Sequence, residues 1–420
     1  MRISTIQAFN NGVQGLQKNY ATAIRTQEQI STRNRILTPA DDPVASVRLL
    51  QLEQQQNVLG QYKENLTAAK NGLAQEEVTL NSVNTVLQRV RELAVQAGNG
   101  ALSQADRESI AAELGEREDE LLGLMNTRNA RGEYLFAGFQ GKTQPFVRQA
   151  DGSYSYQGDE GQRKLQIASS LSVPISDNGK KTFENVINAG RLQLTPAVPP
   201  FTATPGSTLQ VSAPLVQDEV AFSGANPFPD DGVAVVFGTA PNQNSYVVYA
   251  LPRTSPETPL PDGGGTLDAD PDKADSLVFR GVTLKFSGVP AGGETVQLTV
   301  DPTQQKQGIL DTIAQLKTSL QGPASGFQIG DAVAVAITNL DHGMTTVDSV
   351  RGEIGARLNV VETTQTDNDD VGLVNKSVQA ELRELDYAEA LSRLAFQTVI
   401  LEAAQQSYVK VSGLNLFNKL

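Results

Sequence analysis

Leucine recurs every seven residues over one long stretch of this 420-residue chain. The positions are Leu52, Leu59, Leu66, Leu73, Leu80 and Leu87, and between them lie Tyr62, Ala69, Glu76, Val83 and Val90. This heptad pattern predicts an α-helix whose apolar seam is covered by other helices. Because Asp41-Asp42-Pro43 is a helix start signal and Gly98-Asn99-Gly100 is a stop signal, we expect this helix to span residues 43–97.

Heptad patterns also mark both ends of the chain. The first contains Ile6, Val13 and Tyr20, which alternate with Phe9, Leu16, Ala23 and Ile30. The alternative interpretation of this pattern is the core face of a short globular helix. Its strict period of seven residues favours instead a coiled coil, formed between the chain ends or between molecules. Another pattern runs from Val333 to Val361, and we expect Asp367–Asp370 to break it before a last helix that continues towards Val411. The two ends of the chain are therefore predicted to pair.

The chain between these ends changes its period twice. Ser103 and Asp106 form a capping pair that predicts a return helix to about Asn129. Because turn residues separate them, three segments are then predicted to be strands of β-hairpins: 134–139, 153–156 and 165–167. Residues 185–303 hold 15 of the 20 prolines and carry a net charge of −7 from 12 acidic and five basic residues. Five further strands are predicted there, at 234–237, 246–251, 277–279, 283–286 and 296–300.

These elements define an α+β fold. We expect a long antiparallel coiled-coil helical bundle formed by both chain ends, with β-hairpins and an inserted mostly-β domain. The predicted domains are a terminal axial coiled coil (1–42 plus 371–420), a helical rod with β-hairpins (43–185 plus 304–370) and a β-rich insertion (186–303).

Composition excludes several classes of function. The chain has no cysteine and one histidine, so thiolate chemistry and any site that needs two histidines are excluded. A net charge of −13 argues against nucleic acid as a partner. No apolar run reaches membrane-spanning length, so we expect no membrane insertion. The start of the chain lacks the apolar segment of a cleaved signal peptide, which argues against ordinary secretion.

Three local patterns have features of binding or catalytic sites, but for each of them an interpretation without a site is favoured. Gly263-Gly264-Gly265 has no Lys-Ser/Thr after it, so we expect a flexible loop and no phosphate site. Asp268, Asp270, Asp272 and Asp275 alternate as in a calcium loop, yet Lys273 and Phe279 occupy the places of the required Gly and Glu, which favours a solvated acidic loop. His342 is interpreted as a solvent-facing helical residue. We expect no enzymatic activity, metal or cofactor.

Short motifs in both helical ends resemble those of the flagellin superfamily, and most closely those of its hook-filament junction proteins. They are Met1-Arg2-Ile3-Ser4-Thr5, Leu37-Thr38-Pro39-Ala40-Asp41-Asp42-Pro43, Tyr134-Leu135-Phe136-Ala137-Gly138, Gly281-Val282-Thr283-Leu284 with Ser287-Gly288, Gly355-Ala356-Arg357-Leu358-Asn359 and Leu416-Phe417. The likeness covers about residues 1–185 and 304–420. Flagellin itself is the nearest rival, and the Met-Arg-Ile-Ser-Thr start together with Tyr-Leu-Phe-Ala-Gly favours a junction protein.

The resemblance implies a structural adaptor that joins the hook-associated layer to flagellin by packing of its terminal helices. Implied partners are further copies of itself in a ring or axial layer, the first hook-associated protein, flagellin and a flagellar export chaperone. The implied location is the flagellum, reached by export through the flagellar apparatus. We further expect residues 1–40 and 375–420 to be mobile in the monomer and to fold on assembly.

The resemblance also implies candidate site residues. The predicted assembly interface comprises Ile3, Ile6, Phe9, Val13, Leu16, Tyr20, Leu391, Leu394, Leu401, Val411, Leu414, Leu416 and Phe417. The linker and rod motif comprises Thr38, Asp41, Asp42, Pro43, Gly355, Arg357 and Asn359. The run 87–96 is similar to the flagellin stretch read by the vertebrate Toll-like flagellin receptor, with Gln88, Arg89 and Leu93 as contacts, although an ordinary intersubunit face is the favoured use.

Two other functions stay open at this point. The chain could be a flagellin that forms the filament itself, which self-polymerisation into long filaments would reveal. It could also be a surface protein whose acidic insertion binds a ligand, which deletion of residues 190–300 would test.

Overall fold

The protein is described by a computed structural model that covers residues 5–196, 207–253, 258–268, 270, 275–323 and 326–417. The chain divides into two compact units. The terminal unit comprises Met1–Leu66, Gln166–Leu171 and Glu362–Leu420, and the central unit comprises Thr67–Leu165 and Ser172–Val361. The three-part domain division expected from the sequence stays a prediction.

The terminal unit is helical and joins the two ends of the chain. Helix α1 (Thr5–Thr32) packs against α7 (Tyr387–Phe417), so the predicted pairing of the chain ends is confirmed. The same unit contains the first part of α2 (Pro43–Ala97) and the end of α6 (Gly326–Arg383). Helix α2 has the predicted bounds, and Asp42 caps it by accepting a hydrogen bond from the Ala45 amide at 2.9 Å.

The expected helix break at Asp367–Asp370 is wrong. Helix α6 continues through these residues and ends at Arg383. Asp and Asn lower helix propensity only modestly, so a short acidic run on the surface of a long helix does not end it. Lys63 pairs with Asp369 at 3.0 Å, and Asn368 donates to the Ile167 carbonyl at 3.0 Å. The break lies at residues 384–386, where α7 is capped by Asp386.

The central unit holds three buried leucines of the seam. Leu73, Leu80 and Leu87 are fully buried on α2. Helix α3 (Gln104–Met125) starts with the predicted capping box of Ser103 and Asp106 and packs against α5 (Ile309–Gln321). It ends at Met125, earlier than expected.

The hairpin region is confirmed only in part. Strand β1 (Phe146–Arg148) pairs with β2 (Tyr154–Tyr156), and β3 (Lys164–Gln166) with β4 (Ser172–Pro174). The predicted strand at 134–139 is wrong, because Tyr134, Leu135, Phe136 and Ala137 are all buried and do not alternate between core and solvent. After Gly138 the amides of residues 139 and 140 donate to the Asp159 carboxylate at 3.0 Å, so no strand ladder uses them.

A single π-helical turn, Lys180–Glu184, and a two-stranded ladder lead into and out of the insertion. The ladder joins β5 (Val186–Ile187) to β15 (Lys306–Gln307). The insertion itself is built from two sheets around one apolar core, in which the rings of Phe237 and Phe286 meet edge to face at 5.6 Å.

The first sheet of the insertion has the strand order β11-β10-β9-β14-β6. Its strands are β6 (Leu192–Pro196), β9 (Val233–Phe237), β10 (Ser245–Ala250), β11 (Pro259–Thr266) and β14 (Thr295–Val300). The second sheet contains β7 (Gln210–Val211), β8 (Leu215–Val216), β12 (Asp275–Phe279) and β13 (Val282–Ser287), with a short α4 (Glu219–Ser223) after β8. All five strands predicted in the insertion are confirmed within two residues.

The triple glycine is not a loop, contrary to expectation. Gly263, Gly264 and Gly265 lie in strand β11, and Gly264 and Gly265 pair with Val247 and Tyr246 of β10. A Cβ on Gly265 would lie 2.3 Å from the Tyr246 hydroxyl, and one on Gly263 would lie 2.7 Å from the Val248 Cβ. Glycine is needed because side chains of the neighbouring strand cross this backbone closely.

Candidate assembly interface

The predicted interface residues on α1 and α7 fall into two groups. Leu394 and Leu401 are half-buried and share a seven-residue spacing with Tyr408, whose ring lies 3.3 Å from the place of a Cβ on Gly12. They therefore lie in the seam between α7 and α1 of the same chain. Tyr20 and Leu391 are 58% and 54% exposed and are open to a neighbour.

The remaining predicted positions divide between half-buried and undescribed side chains. Val13 and Leu16 are half-buried on α1. Ile3 lies outside the described residues, as do the side chains of Ile6, Phe9, Val411, Leu414, Leu416 and Phe417. The assignment of all these residues to an assembly interface stays a prediction.

A second apolar surface on α7 was missed by the sequence reasoning. Phe396, Val399 and Ile400 are exposed, and Phe396 leaves 67% of its surface uncovered. Their spacing of three and four residues places them on one side of the helix, which we call the uncovered stripe. The three-and-four-residue spacing of these apolar side chains is visible in the sequence. The seven-residue spacing of Leu394 and Leu401, however, indicates the face of α7 that α1 covers.

Helix α1 presents a complementary kind of surface. Its exposed side chains include a series of uncharged amides: Gln7, Asn10, Asn11, Gln14 and Gln17. Amide faces can approach copies of themselves without the repulsion that like charges would cause. The terminal unit thus exposes apolar and amide surface, which suits packing against other helices.

The linker motif organises the start of α2. The Asp41 carboxylate accepts hydrogen bonds from the amides of Leu37 and Thr38 at 2.9 and 3.0 Å and pairs with Arg25. Arg25 also reaches the Thr38 hydroxyl at 3.5 Å. Asp42 caps the helix, and Pro43 is its first residue. The described contacts of this motif are therefore within the chain.

The rod motif contains one internal and two outward positions. Arg357 donates two hydrogen bonds to the Asp177 carboxylate, at 2.7 and 3.0 Å, and Asp177 is fully buried. Gly355 has no atom within 4 Å of the place of a Cβ, and Asn359 is exposed. Arg357 thus fastens α6 to the segment around Asp177, whereas Gly355 and Asn359 are open to a neighbour.

A buried carboxyl on α2 completes this cluster and was also missed as a site. Glu76 occupies a seam position, is 1% exposed and accepts a hydrogen bond from the Asp177 amide at 3.0 Å. Burial, and next the charge of Asp177, raise the pKa of Glu76 to about 8. We call Glu76, Asp177 and Arg357 the buried charge cluster. The presence of Glu76 among leucines was the only sequence signal for it.

The predicted receptor contacts differ in exposure. Gln88 and Arg89 are exposed, and Arg89 donates to Glu113 at 2.8 and 2.9 Å and to Glu92 at 2.9 Å. Leu93 is 1% exposed because it belongs to the buried side of α2. Only Gln88 and Arg89 therefore offer surface to a partner.

The described residues show neither a metal cluster nor a membrane-spanning helix. No group of three or more His, Cys, Asp or Glu side chains among them could hold a metal ion. Within the same residues, no helix is both long and apolar enough to cross a membrane. His342, expected to face solvent, lies in α6 with its Nδ1 atom 3.0 Å from the Ile187 carbonyl oxygen and is half-buried.

Comparisons with known proteins agree with this arrangement. A sequence profile of the bacterial flagellin N-terminal helical region matches residues 3–141. Flagellar hook-associated protein 3 of Escherichia coli (strain K12) is 24% identical over 417 residues, which are 99% of each chain. The chain is thus similar to flagellar hook-associated protein 3 over almost its whole length. The protein of that name from Salmonella typhimurium is 34% identical over 186 residues, 44% of this chain and 58% of that protein.

A solved structure extends the likeness to the fold. The crystal structure of flagellar hook associated protein-3 from Legionella pneumophila superposes with a TM-score of 0.63 and 26% identity, covering 79% of this chain and 98% of that one. Flagellins are more distant relatives of this chain than these hook-associated proteins. The resemblance inferred from the sequence motifs is therefore confirmed.

Proposed function

We propose that this chain is a structural component of the bacterial flagellum that joins the hook-associated layer to the flagellin filament. The observation that carries the proposal is the match to flagellar hook-associated protein 3 over 99% of the chain. The exposed apolar surface of the terminal unit supplies the physical means, because helices that expose such surface gain stability when neighbouring helices cover it.

The assembly surface of the terminal unit combines predicted and newly seen residues. Tyr20 and Leu391 are exposed at predicted positions, and the uncovered stripe adds Phe396, Val399 and Ile400. These side chains pack against other copies of the chain, the first hook-associated protein on one side and flagellin on the other. Before assembly, an export chaperone covers the same surface, and the unfolded chain passes through the flagellar export apparatus.

The terminal segments gain much of their order from assembly. The described side chains of these segments, residues 1–40 and 375–420, include exposed apolar groups such as Tyr20, Leu391 and Phe396, so we expect intersubunit burial to offset the cost of ordering them. Slow amide exchange across both segments in a proven monomer would contradict this part of the proposal. The protein acts without catalysis, in agreement with the structural role of its relatives.

Complementation tests the proposal. The chain is expressed in a strain that lacks its junction protein, and hooks are scored by electron microscopy for attached filaments. We expect filaments on hooks when the chain is present and bare hooks when it is absent. Bare hooks in both cases, with normal export of the chain, would overturn the junction role.

The profile match to a flagellin region favours one alternative, a filament-forming flagellin. The purified chain would then polymerise alone into long filaments, whereas a junction protein forms none. A ligand-binding role of the insertion is a further alternative: deletion of residues 190–300 would abolish binding and spare assembly. Receptor contact through Gln88 and Arg89 would be contradicted by receptor activation that Arg89→Ala leaves unchanged.

A further inference from the structure

The turn between α2 and α3 contains a chemically labile dipeptide. Asn99 is followed by Gly100, and both residues are exposed in the short connection that ends α2. Glycine has no Cβ, so its amide nitrogen can approach the side chain of a preceding asparagine without hindrance. An asparagine in such a pair can lose its side-chain nitrogen without an enzyme. The stop signal of α2 therefore also carries a reactive amide.

The Asn99 side chain is folded back over the main chain of this turn. Its Oδ1 atom accepts a hydrogen bond from the Ala101 amide at 3.1 Å. Because that amide belongs to the residue after Gly100, the hydrogen bond brings the side-chain carbonyl carbon of Asn99 towards the Gly100 nitrogen. The same hydrogen bond stabilises the negative charge that develops on Oδ1 when a nucleophile adds to this carbon.

The Gly100 nitrogen is available for that addition. Within the part of the chain that the structure describes, the Gly100 amide donates no hydrogen bond. A Cβ placed on Gly100 would meet no atom within 4 Å, so the surroundings of the turn are open. An exposed turn of this kind can adjust its main chain while a ring closes between the two residues.

Two other Asn-Gly pairs of the central unit are held in place. Asn71 is also exposed, but Gly72 lies inside α2, where its amide takes part in the hydrogen bonding of the helix. Asn178 is 7% exposed, and the Gly179 amide donates to the Phe136 carbonyl at 2.9 Å. Both glycine nitrogens must be released by local unfolding before they can react. Exposure of the asparagine alone therefore does not decide its reactivity.

We propose that Asn99 is a site of spontaneous deamidation in the folded chain. The Gly100 nitrogen loses its proton to hydroxide and forms a bond to the side-chain carbonyl carbon of Asn99. The bond from this carbon to the side-chain nitrogen breaks, and ammonia leaves. Water then opens the resulting cyclic imide at either of its two carbonyl groups. The products are aspartate and isoaspartate, each of which carries a negative charge that asparagine lacks.

The modification changes the connection between two helices. A carboxylate at residue 99 lies at the carboxyl end of α2, where the helix dipole disfavours negative charge. Isoaspartate also adds a carbon atom to the main chain between α2 and Ser103, which caps α3. Because the reaction needs only water and hydroxide, the modified fraction grows with the age of the folded molecule.

Peptide mapping of the full-length chain by mass spectrometry tests this directly. The folded protein is incubated at neutral and at alkaline pH, and the mass increase from amide to acid is followed at Asn99, Asn71 and Asn178. Each rate is divided by the rate of the same residue in the chain denatured with guanidinium chloride. We expect Asn99 to react at least about tenfold faster than the other two on this scale, because an opening that costs about 1.4 kcal/mol already slows a reaction tenfold. Asn11, which also precedes a glycine, is left out of the comparison because we expect its segment to gain order on assembly.

Gly100→Ala is the matched variant, because the added Cβ has room in the fold but hinders the attacking nitrogen. It should lower the rate at Asn99 roughly tenfold and leave the helical content by circular dichroism unchanged. Normalised rates at Asn71 or Asn178 as high as that at Asn99 would overturn the proposal. Equal rates at Asn99 in the wild type and in Gly100→Ala would also overturn it. None of these results depends on the junction function.

Discussion

Replacing the carboxyl group of Glu76 by an amide should stabilise the central unit at alkaline pH. Glu76 lies among apolar side chains on the seam of α2, and burial raises its pKa to about 8 against an ordinary value of 4.5, with the charge of Asp177 adding to the shift. The hydrogen bond from the Asp177 amide, and then the charges of Arg357 and Arg163, oppose this rise in the pKa. The protein must therefore hold this group neutral in the folded state or accept an unfavourable buried charge.

The sign and size of the effect follow from these values. A carboxyl group whose pKa is higher in the folded than in the unfolded state stabilises the folded state. This stabilisation is fully present at pH values below the unfolded pKa and is lost as the pH rises through the folded pKa. Each unit between the two pKa values is worth about 1.4 kcal/mol. Between pH 5 and pH 9 the wild type should therefore lose about 4 kcal/mol of stability from this group alone, and Glu76→Gln should lose none of it.

Amide exchange in the seam of α2 is the appropriate assay, because a chain of two units need not unfold in one step. Opening free energies for residues 73–87 are measured from pH 5 to pH 9 and corrected for intrinsic exchange. Glu64→Gln, an exposed change on the same helix, serves as the control and should behave as the wild type. An equal fall with pH in Glu76→Gln and in the wild type would refute the reasoning.

Two further predictions concern the central unit. Arg357→Leu leaves the carboxylate of Asp177 buried without its partner and should lower the free energy of unfolding by about 3–5 kcal/mol in urea titrations. Adding Asp177→Asn should restore part of this loss, and an equal loss in the double variant would contradict the ion-pair explanation. Gly265→Ala should destabilise the insertion by about 1–3 kcal/mol because its Cβ meets the Tyr246 hydroxyl. Gly264→Ala, whose Cβ has its nearest neighbour at 3.7 Å, should change the melting temperature little, and equal effects would contradict this account.

Local signals in the sequence were sufficient for the helices that have them. Helix α2 has its predicted bounds because Asp42 and Pro43 act on neighbouring amides, and the capping box at Ser103 works in the same way. The paired ends followed from heptad seams at both termini. Charge alone was a poor stop signal: Asp367–Asp370 remains helical because Asp and Asn lower helix propensity only modestly and these residues lie at or near the helix surface.

The remaining features depend on contacts that sequence spacing does not encode. Arg357 and Asp177 are 180 residues apart, so the motif around Gly355 gave no indication that its arginine is internal. The triple glycine lies in a strand that pairs with β10, and glycine is needed there because Tyr246 and Val248 of β10 lie close to its backbone. The uncovered stripe could be recognised only after α1 was seen to cover the other face of α7. In each case a partner from another element decides the outcome.

The central claim is that the uncovered stripe of the terminal unit is an assembly surface. Phe396 leaves 67% of its surface exposed. An aromatic side chain buries roughly 150–250 Å² when it is fully covered, so a neighbour that covers Phe396 gains about 3 kcal/mol per subunit. Phe396→Asp removes this gain and introduces a charge. Gln405 is exposed nine residues further along, on the opposite face of α7 at about 100° per residue.

The most direct measurement compares Phe396→Asp with Gln405→Asp, which adds the same charge to the same helix. Both variants are expressed in a strain lacking its junction protein, export is verified, and the fraction of hooks that carry a filament is counted by electron microscopy. The account predicts filaments with Gln405→Asp and bare hooks with Phe396→Asp. Filaments at wild-type frequency with Phe396→Asp would contradict it.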